Sequence, residues 1–127
     1  MNSLAAKRIV AVLDDDVAVR ESLQFSLELE GFVIRIAATP QELHEHTDRS
    51  QFDCFIIDYH LPGTNGLDVL ANLRGKRVAA PAILITGNPT EQIRRRAAAD
   101  GAVLMEKPFA VGALVDQIHA LLDKSQA

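Results

Sequence analysis

The chain has 127 residues, 48% of them apolar and 24% charged, which is enough for one domain with one core and too apolar for a disordered segment. The formal net charge of −4 gives no electrostatic reason to expect direct nucleic-acid binding, and the single cysteine, Cys54, excludes an internal disulfide and suits a reducing compartment. No apolar run approaches the roughly 18 residues that span a membrane, and the opening stretch from Met1 to Arg8 has no signal-peptide core, so a cytoplasmic, membrane-free protein is expected.

Arg8 to Leu13 (RIVAVL) reads as a buried strand that runs straight into three acids, Asp14, Asp15 and Asp16. Val17 to Glu30 then carries helical periodicity, with Val19, Leu23 and Leu27 on one face and Phe25 and Leu29 nearby. Asp16 is the expected N-cap of this helix and Gly31 its stop. Phe32 to Ala37 forms a second strand, where Arg35 points to an edge position. Thr39 and Pro40 open a helix as N-cap and first residue, running to about Thr47 with a weakly apolar face.

The next apolar run, Cys54 to Ile57, ends on a carboxylate, Asp58, and a loop bearing Pro62 and Gly63 follows at once. A short apolar run bounded in this way predicts a third strand, central in a parallel sheet. Gly66 to Arg74 predicts a helix that packs through Leu67, Val69, Leu70 and Leu73, and Gly75-Lys76-Arg77 turns the chain. Ala82 to Ile85 is a fourth strand ending on Thr86-Gly87; Thr90 to Asp100 is a helix capped by Thr90 and ended by Gly101. Ala102 to Met105 is a fifth strand leading to Glu106-Lys107-Pro108, and Val111 to Lys124 is the last helix, with a core stripe of Leu114, Val115, Ile118, Leu121 and Leu122. Five apolar strands alternating with five helices predict one α/β domain with a parallel sheet covered on both faces.

Parallel strands bring all their carboxyl ends to one edge, where open α/β sheets carry their functional crevice. In this register that edge collects Asp14 and Asp15 from strand one, Asp58 from strand three, Thr86 from strand four and Lys107 from strand five. Three carboxylates repel one another unless positive charge joins them. Lys107 supplies one charge, and a hard divalent cation with oxygen ligands, most naturally Mg2+, supplies two. A metal, a hydroxyl and an ammonium beside a carboxylate suit phosphoryl transfer, with Asp58 as nucleophile.

Four motifs in this order resemble one family. They are the acidic pair in VLDDD, the run DYHLPGTNG with Pro62 four and Gly66 eight after Asp58, the strand-ending ILITG, and the Lys-Pro pair in MEKPF. From about residue 8 to 122, nearly its whole length, the chain resembles the receiver domain of two-component and phosphorelay response regulators. The resemblance implies a single receiver domain over residues 1–127, with a flavodoxin-like doubly wound sheet of order 2-1-3-4-5. It implies that Asp58 accepts a phosphoryl group from a phosphohistidine on a histidine kinase or histidine phosphotransfer protein. Asp15 and Asp58 would bind Mg2+ directly, the backbone carbonyl of His60 would be a third protein ligand, and Asp14 would act through water. Thr86 and Lys107 would hold the phosphoryl oxygens. Such a domain is a switch that at most catalyses its own phosphorylation and dephosphorylation. It would engage an output domain or a second copy through the face of helix four, strand five and helix five.

One position departs from the pattern: Leu104 stands three residues before Lys107, where the family carries an aromatic switch residue. Output is therefore expected to run mainly through the loop after Thr86 and helix four. His60 and Asn88, each two residues beyond a site residue, are expected to rim the pocket, with His60 tuning phosphoryl lifetime. Cys54 reads as a buried inert thiol, and His44 and His46, two apart on a helix, do not share a face. His119 reads as a surface residue, and Arg94, Arg95 and Arg96 as a solvated helix face that could also meet a partner. Other functions fit less well. An aspartyl phosphatase would carry a second Asp where His60 stands, and a nucleotide-binding domain would carry a Gly-rich turn after strand one. The remaining alternative is a phosphorylation-independent pseudo-receiver that docks proteins.

Overall fold

The computed structural model describes residues 7–46 and 51–126. In chain order the elements are β1 (Ile9–Leu13), α1 (Val17–Leu29), β2 (Val33–Ala37), α2 (Pro40–Glu45), β3 (Cys54–Asp58), β4 (His60–Leu61), β5 (Thr64–Asn65), α3 (Gly66–Gly75), β6 (Ala82–Thr86), α4 (Glu91–Ala99), β7 (Ala102–Glu106) and α5 (Val111–Gln126). Five strands form a parallel sheet of order β2-β1-β3-β6-β7. With the two-residue strands β4 and β5 set aside, this is the expected order 2-1-3-4-5.

The sheet is buried on both faces because its strands alternate between two apolar layers. Ala11, Leu13, Phe55, Ile57 and Leu84 face the side covered by α2, α3 and α4, where Leu43, Leu67, Leu70, Leu73 and Ala97 meet them. Val10, Val12, Cys54, Ile56, Ile83 and Ile85 face the other side, where Leu23 and Leu27 of α1 and Leu114 and Ile118 of α5 close over them. All five residues of β3 are buried, as a central strand requires. β2, at the edge, exposes Arg35 as expected.

The helix boundaries follow local chemistry. Asp16 accepts from the Ala18 and Val19 amides at the start of α1, Thr39 caps α2, and Thr90 caps α4. Gly31 and Gly101 take positive φ just past helix ends, as expected of C′ glycines.

Four details differ from the sequence reading. Phe25 and Leu29 lie 66% and 72% exposed, not beside the core. Each stands two residues from the buried Leu27, about 200° around a helix, and so faces away from it. The left-handed residue in the turn after α3 is Arg77, while Gly75 is helical. The helix expected to reach Thr47 ends at Glu45, and Thr47 lies outside the described residues. Finally, β4 and β5 form an antiparallel ribbon that no periodicity announces. Its turn joins Leu61 to Thr64 through Pro62, which presets φ, and Gly63, at φ +76°.

Candidate functional site at the carboxyl edge

Three strand ends build the site. β1 pairs with β2 as far as Leu13 opposite Ala37, and the Asp14 amide extends the ladder by one bond, to Ala37 O at 3.1 Å. That extra rung keeps Asp14 at the sheet edge, with its side chain buried. Asp14 Oδ1 accepts from the Asp16 amide at 2.9 Å. Asp15, the next residue, is exposed.

β3 ends on Asp58, opposite Ile85 of β6 and 4% exposed. The chain behind it is tightly fitted. Gly66 donates its amide to Tyr59 O at 2.9 Å, and a Cβ at position 66 would come to 2.5 Å from Asp58 O and 2.8 Å from the Leu84 side chain. The first turn of α3 thus rests directly on the Asp58 peptide, an approach only glycine permits.

β7 brings Lys107. Its amide donates to Thr86 O at 2.9 Å, which continues the β6–β7 ladder past Glu106 and holds the residue at the same edge. Lys107 Nζ donates to Asp58 Oδ1 at 3.2 Å. The Lys107–Pro108 peptide is cis.

The carboxylates of Asp14, Asp15 and Asp58 each offer an oxygen within 4.8 Å of the others. They face a cleft of about 630 Å³, also lined by Tyr59, His60 and Lys107. Burial pushes the Asp14 carboxyl above its usual range, against the bond from the Asp16 amide, which lowers it. The neighbouring Asp58 and Asp15 charges raise it further, and Lys107 lowers it. A hard cation with oxygen ligands fits this donor set, because it relieves like charges that one ammonium does not balance. The cluster can hold a metal ion.

Of the residues singled out from the sequence, Asp14, Asp15, Asp58, His60 and Lys107 line this one cleft. Thr86 does not line it. Its side chain is fully buried at the end of β6, where Oγ1 accepts from the Asn88 amide at 3.1 Å. Asn88 does not rim the acidic cleft either. It lines an adjoining cavity of about 360 Å³ with Tyr59, His60, Leu67, Ile93 and others, because the loop after Thr86 leads away toward α4. The sequence leaves Tyr59 unassigned, and it marks Asp16 only as the cap of α1 and Gly66 only as a motif position, neither as a neighbour of the cleft. The signals were present, as a third acid before a helix and a glycine closing the loop after Asp58, but their roles depend on contacts between elements.

The remaining expectations fall outside the cleft. Cys54 is buried, and burial pushes its thiol up to about 12, so it is inert. His119 is exposed, against the Phe32 ring. All three α4 arginines are exposed; Arg95 pairs with Glu91 and Arg96 with Asp68 of α3. Leu104 is half-buried against the α3–α4 side of the core. Among the described residues, no helix is long and apolar enough to cross a membrane.

Comparison with known proteins agrees with the geometry. The sequence pattern of the family described as response regulator receiver domain matches residues 10–119. The transcriptional regulatory protein FixJ of Bradyrhizobium diazoefficiens is 27% identical over 124 residues, covering 97% of this chain and 60% of that protein. Response regulator MprA of Mycobacterium leprae is 35% identical over 120 residues, covering 94% of this chain and 52% of that protein. The chain therefore spans between half and about three-fifths of the length of these relatives. Among solved structures, a CheY-like response regulator receiver domain protein from Methanospirillum hungatei superposes with a TM-score of 0.87 at 27% identity, covering 95% of this chain and 98% of that one.

Proposed function

The chain belongs to the response regulator receiver domain family, and from that premise we propose that Asp58 is its phosphoacceptor, charged by a phosphohistidine on a histidine kinase or histidine phosphotransfer protein. The observation that carries the reading is the placement of Asp58: buried at a central strand end, within 4.8 Å of two other acids and 3.2 Å from the Lys107 ammonium.

A carboxylate oxygen of Asp58 attacks phosphorus while the phosphorus–nitrogen bond of the phosphoimidazole breaks, its electron pair staying on the ring nitrogen. Negative charge spreads over the three remaining phosphoryl oxygens in the transition state. Lys107 neutralises one of them. Thr86 donates to another after turning toward the cleft; the bond its Oγ1 accepts from Asn88 leaves the hydroxyl proton free. Asp15, Asp58 and the backbone carbonyl of His60 would hold Mg2+ directly, and Asp14 through a water. When bound, the ion supplies charge that offsets the acids and the phosphoryl oxygens.

The product is a mark, not a released chemical, so the domain is a switch and at most catalyses its own phosphorylation and dephosphorylation. The 127 residues act as a single receiver domain, working in the cytoplasm without direct contact with nucleic acid or membrane. The marked state engages an output domain or a second copy through α4, β7 and α5. Leu104 has no ring or hydroxyl to follow Thr86, so the change travels through the loop after Thr86 and α4. His60, at the rim of the cleft, tunes the lifetime of the mark. No feature of the cleft favours the phosphorylation-independent docking module.

The chain holds one tyrosine and no tryptophan, and that tyrosine, Tyr59, lines the cleft. Mg2+ with beryllofluoride should therefore change tyrosine emission in the parent and leave Asp58→Asn unmoved. A silent parent, or an equal response in the variant, contradicts the reading.

A further inference from the structure

We propose that Arg20 is a positioning residue for the acidic pair Asp14–Asp15, holding the peptide between them so that both carboxylates meet a divalent cation. The proposal rests on the reading of the cleft given above.

The argument starts where the sheet stops. β1 is paired on both sides only to Leu13, with Ala37 of β2 and Ile57 of β3. The Asp14 amide finds one further partner, Ala37 O. The peptide that joins Asp14 to Asp15, which sets the direction of one carboxylate relative to the other, lies beyond the ladder. Its carbonyl is held by a side chain: Arg20 Nη1 donates to Asp14 O at 2.8 Å.

Arg20 reaches that carbonyl from a fixed base. It lies on the first turn of α1, and its own amide donates to Asp16 O at 3.0 Å. Asp16 Oδ1 in turn accepts from Ala18 N at 2.9 Å and Val19 N at 3.2 Å, and the Asp16 amide donates to Asp14 Oδ1 at 2.9 Å. The contacts therefore form a ring that leaves Asp14 through its carboxylate, passes along the helix start, and returns to Asp14 through its carbonyl. A guanidinium is a planar, permanently charged donor, suited to such a fixed bond. Arg20 is half-buried and is not among the residues that line the cleft. It holds the loop from behind and leaves the cleft-facing oxygens open. Three like charges within 4.8 Å push this loop outward; Arg20 is the attachment that resists.

Removing a group that orients metal ligands costs about 10–100-fold in metal affinity. We expect Arg20→Ala to raise the Mg2+ dissociation constant by about tenfold, the low end of that range, because the contact is to backbone. Mg2+ titration followed by Tyr59 emission, with Mn2+ titration by electron paramagnetic resonance as a second probe, measures this. Thermal melts without metal run alongside. A purely structural role would lower the melting temperature and leave both metal titrations unchanged. Arg20→Lys keeps a charged donor and should recover most of the affinity. Arg20→Ala binding Mg2+ within twofold of the parent, or Arg20→Lys binding no better than Arg20→Ala, overturns the proposal. If Arg20→Ala does not fold, Arg20→Lys against Arg20→Gln carries the comparison: tighter binding by Lys supports the proposal and equal binding overturns it. A parent that binds no Mg2+ overturns the reading of the cleft instead, so the two failures are distinct.

Discussion

The two edges of the sheet treat charge in opposite ways. At the amino edge every strong group named here is matched. Arg74 donates from Nε to Asp100 O at 3.0 Å and from Nη1 to the carbonyls of Val78 and Ala80, each at 2.8 Å, tying the end of α3 to the entries of β6 and β7. Asp53 accepts from the Ile9 amide at 2.8 Å and pairs with Arg8 at 3.6 Å, joining the entries of β1 and β3. At the carboxyl edge three acids crowd within 4.8 Å, and Lys107 meets one of them. A parallel sheet makes this division available because it sends all strand starts one way and all strand ends the other. The amino edge uses charge to close the fold. The carboxyl edge holds uncompensated negative charge at a cost in stability, and that surplus is what a cation would use.

If the edges are independent in this sense, variants should separate stability from binding. Arg74→Ala should have the largest effect on stability, a loss of about 2–4 kcal/mol, since it leaves three carbonyls without their charged donor. Thermal or urea unfolding measures this. Mg2+ affinity of the folded variant should stay within twofold of the parent, and a parallel fall would show that the edges are coupled.

Gly66→Ala should affect both quantities. The added methyl has no room against Asp58 O and Leu84, so destabilisation of about 1–3 kcal/mol is expected. Displacement of Asp58 should weaken Mg2+ binding as well, as a titration of the folded variant would reveal. Normal metal affinity would mean that the α3 contact does not place the acceptor.

Asp14→Asn should move the two quantities in opposite directions. The variant keeps an Oδ1 acceptor for the Asp16 amide but removes a buried charge. Burial raises the Asp14 carboxyl above its ordinary 3.8, so in the folded protein its ionised form is disfavoured relative to the unfolded chain. The penalty is absent below the unfolded value, grows as pH rises, and is complete above the folded value. Without metal, Asp14→Asn should therefore melt higher than the parent near pH 7, and the gain should vanish below pH 3.8. With saturating Mg2+ the order should reverse, because the parent gains more from the ion. A variant that melts lower at neutral pH without metal contradicts the account of surplus charge.

The smallest effect is expected of Arg8→Ala. Its pairing with Asp53 is partly exposed, so stability should fall by less than about 1 kcal/mol and phosphoryl acceptance should not change.

The sheet and the gathering of its strand ends were legible because both follow from local pattern. Apolar runs fixed five strands, Asp16, Thr39 and Thr90 marked helix starts, and parallel pairing carried Asp14, Asp15, Asp58 and Lys107 to one edge without knowledge of any contact. What escaped depends on how elements meet. Two-residue strands have no period, so the ribbon of β4 and β5 was invisible. Phe25 and Leu29 are the exception, since their two-residue offset from Leu27 already turns them away from the core face. Thr86 stands at the expected strand end, yet its side chain is fully buried and its Oγ1 accepts from the Asn88 amide, while Asn88 itself lines the adjoining cavity. Arg20 meets the Asp14 carbonyl through one bond and Gly66 packs against Asp58 O and Leu84, contacts that sequence spacing does not encode.

The most direct test of the central claim is chemical. The parent protein is incubated with Mg2+ and a small acyl or amido phosphate donor and its intact mass is read. We expect one phosphoryl adduct on the parent, dependent on Mg2+ and absent from Asp58→Asn. An unmodified parent, or an adduct that persists in Asp58→Asn, would contradict the assignment of Asp58 as acceptor.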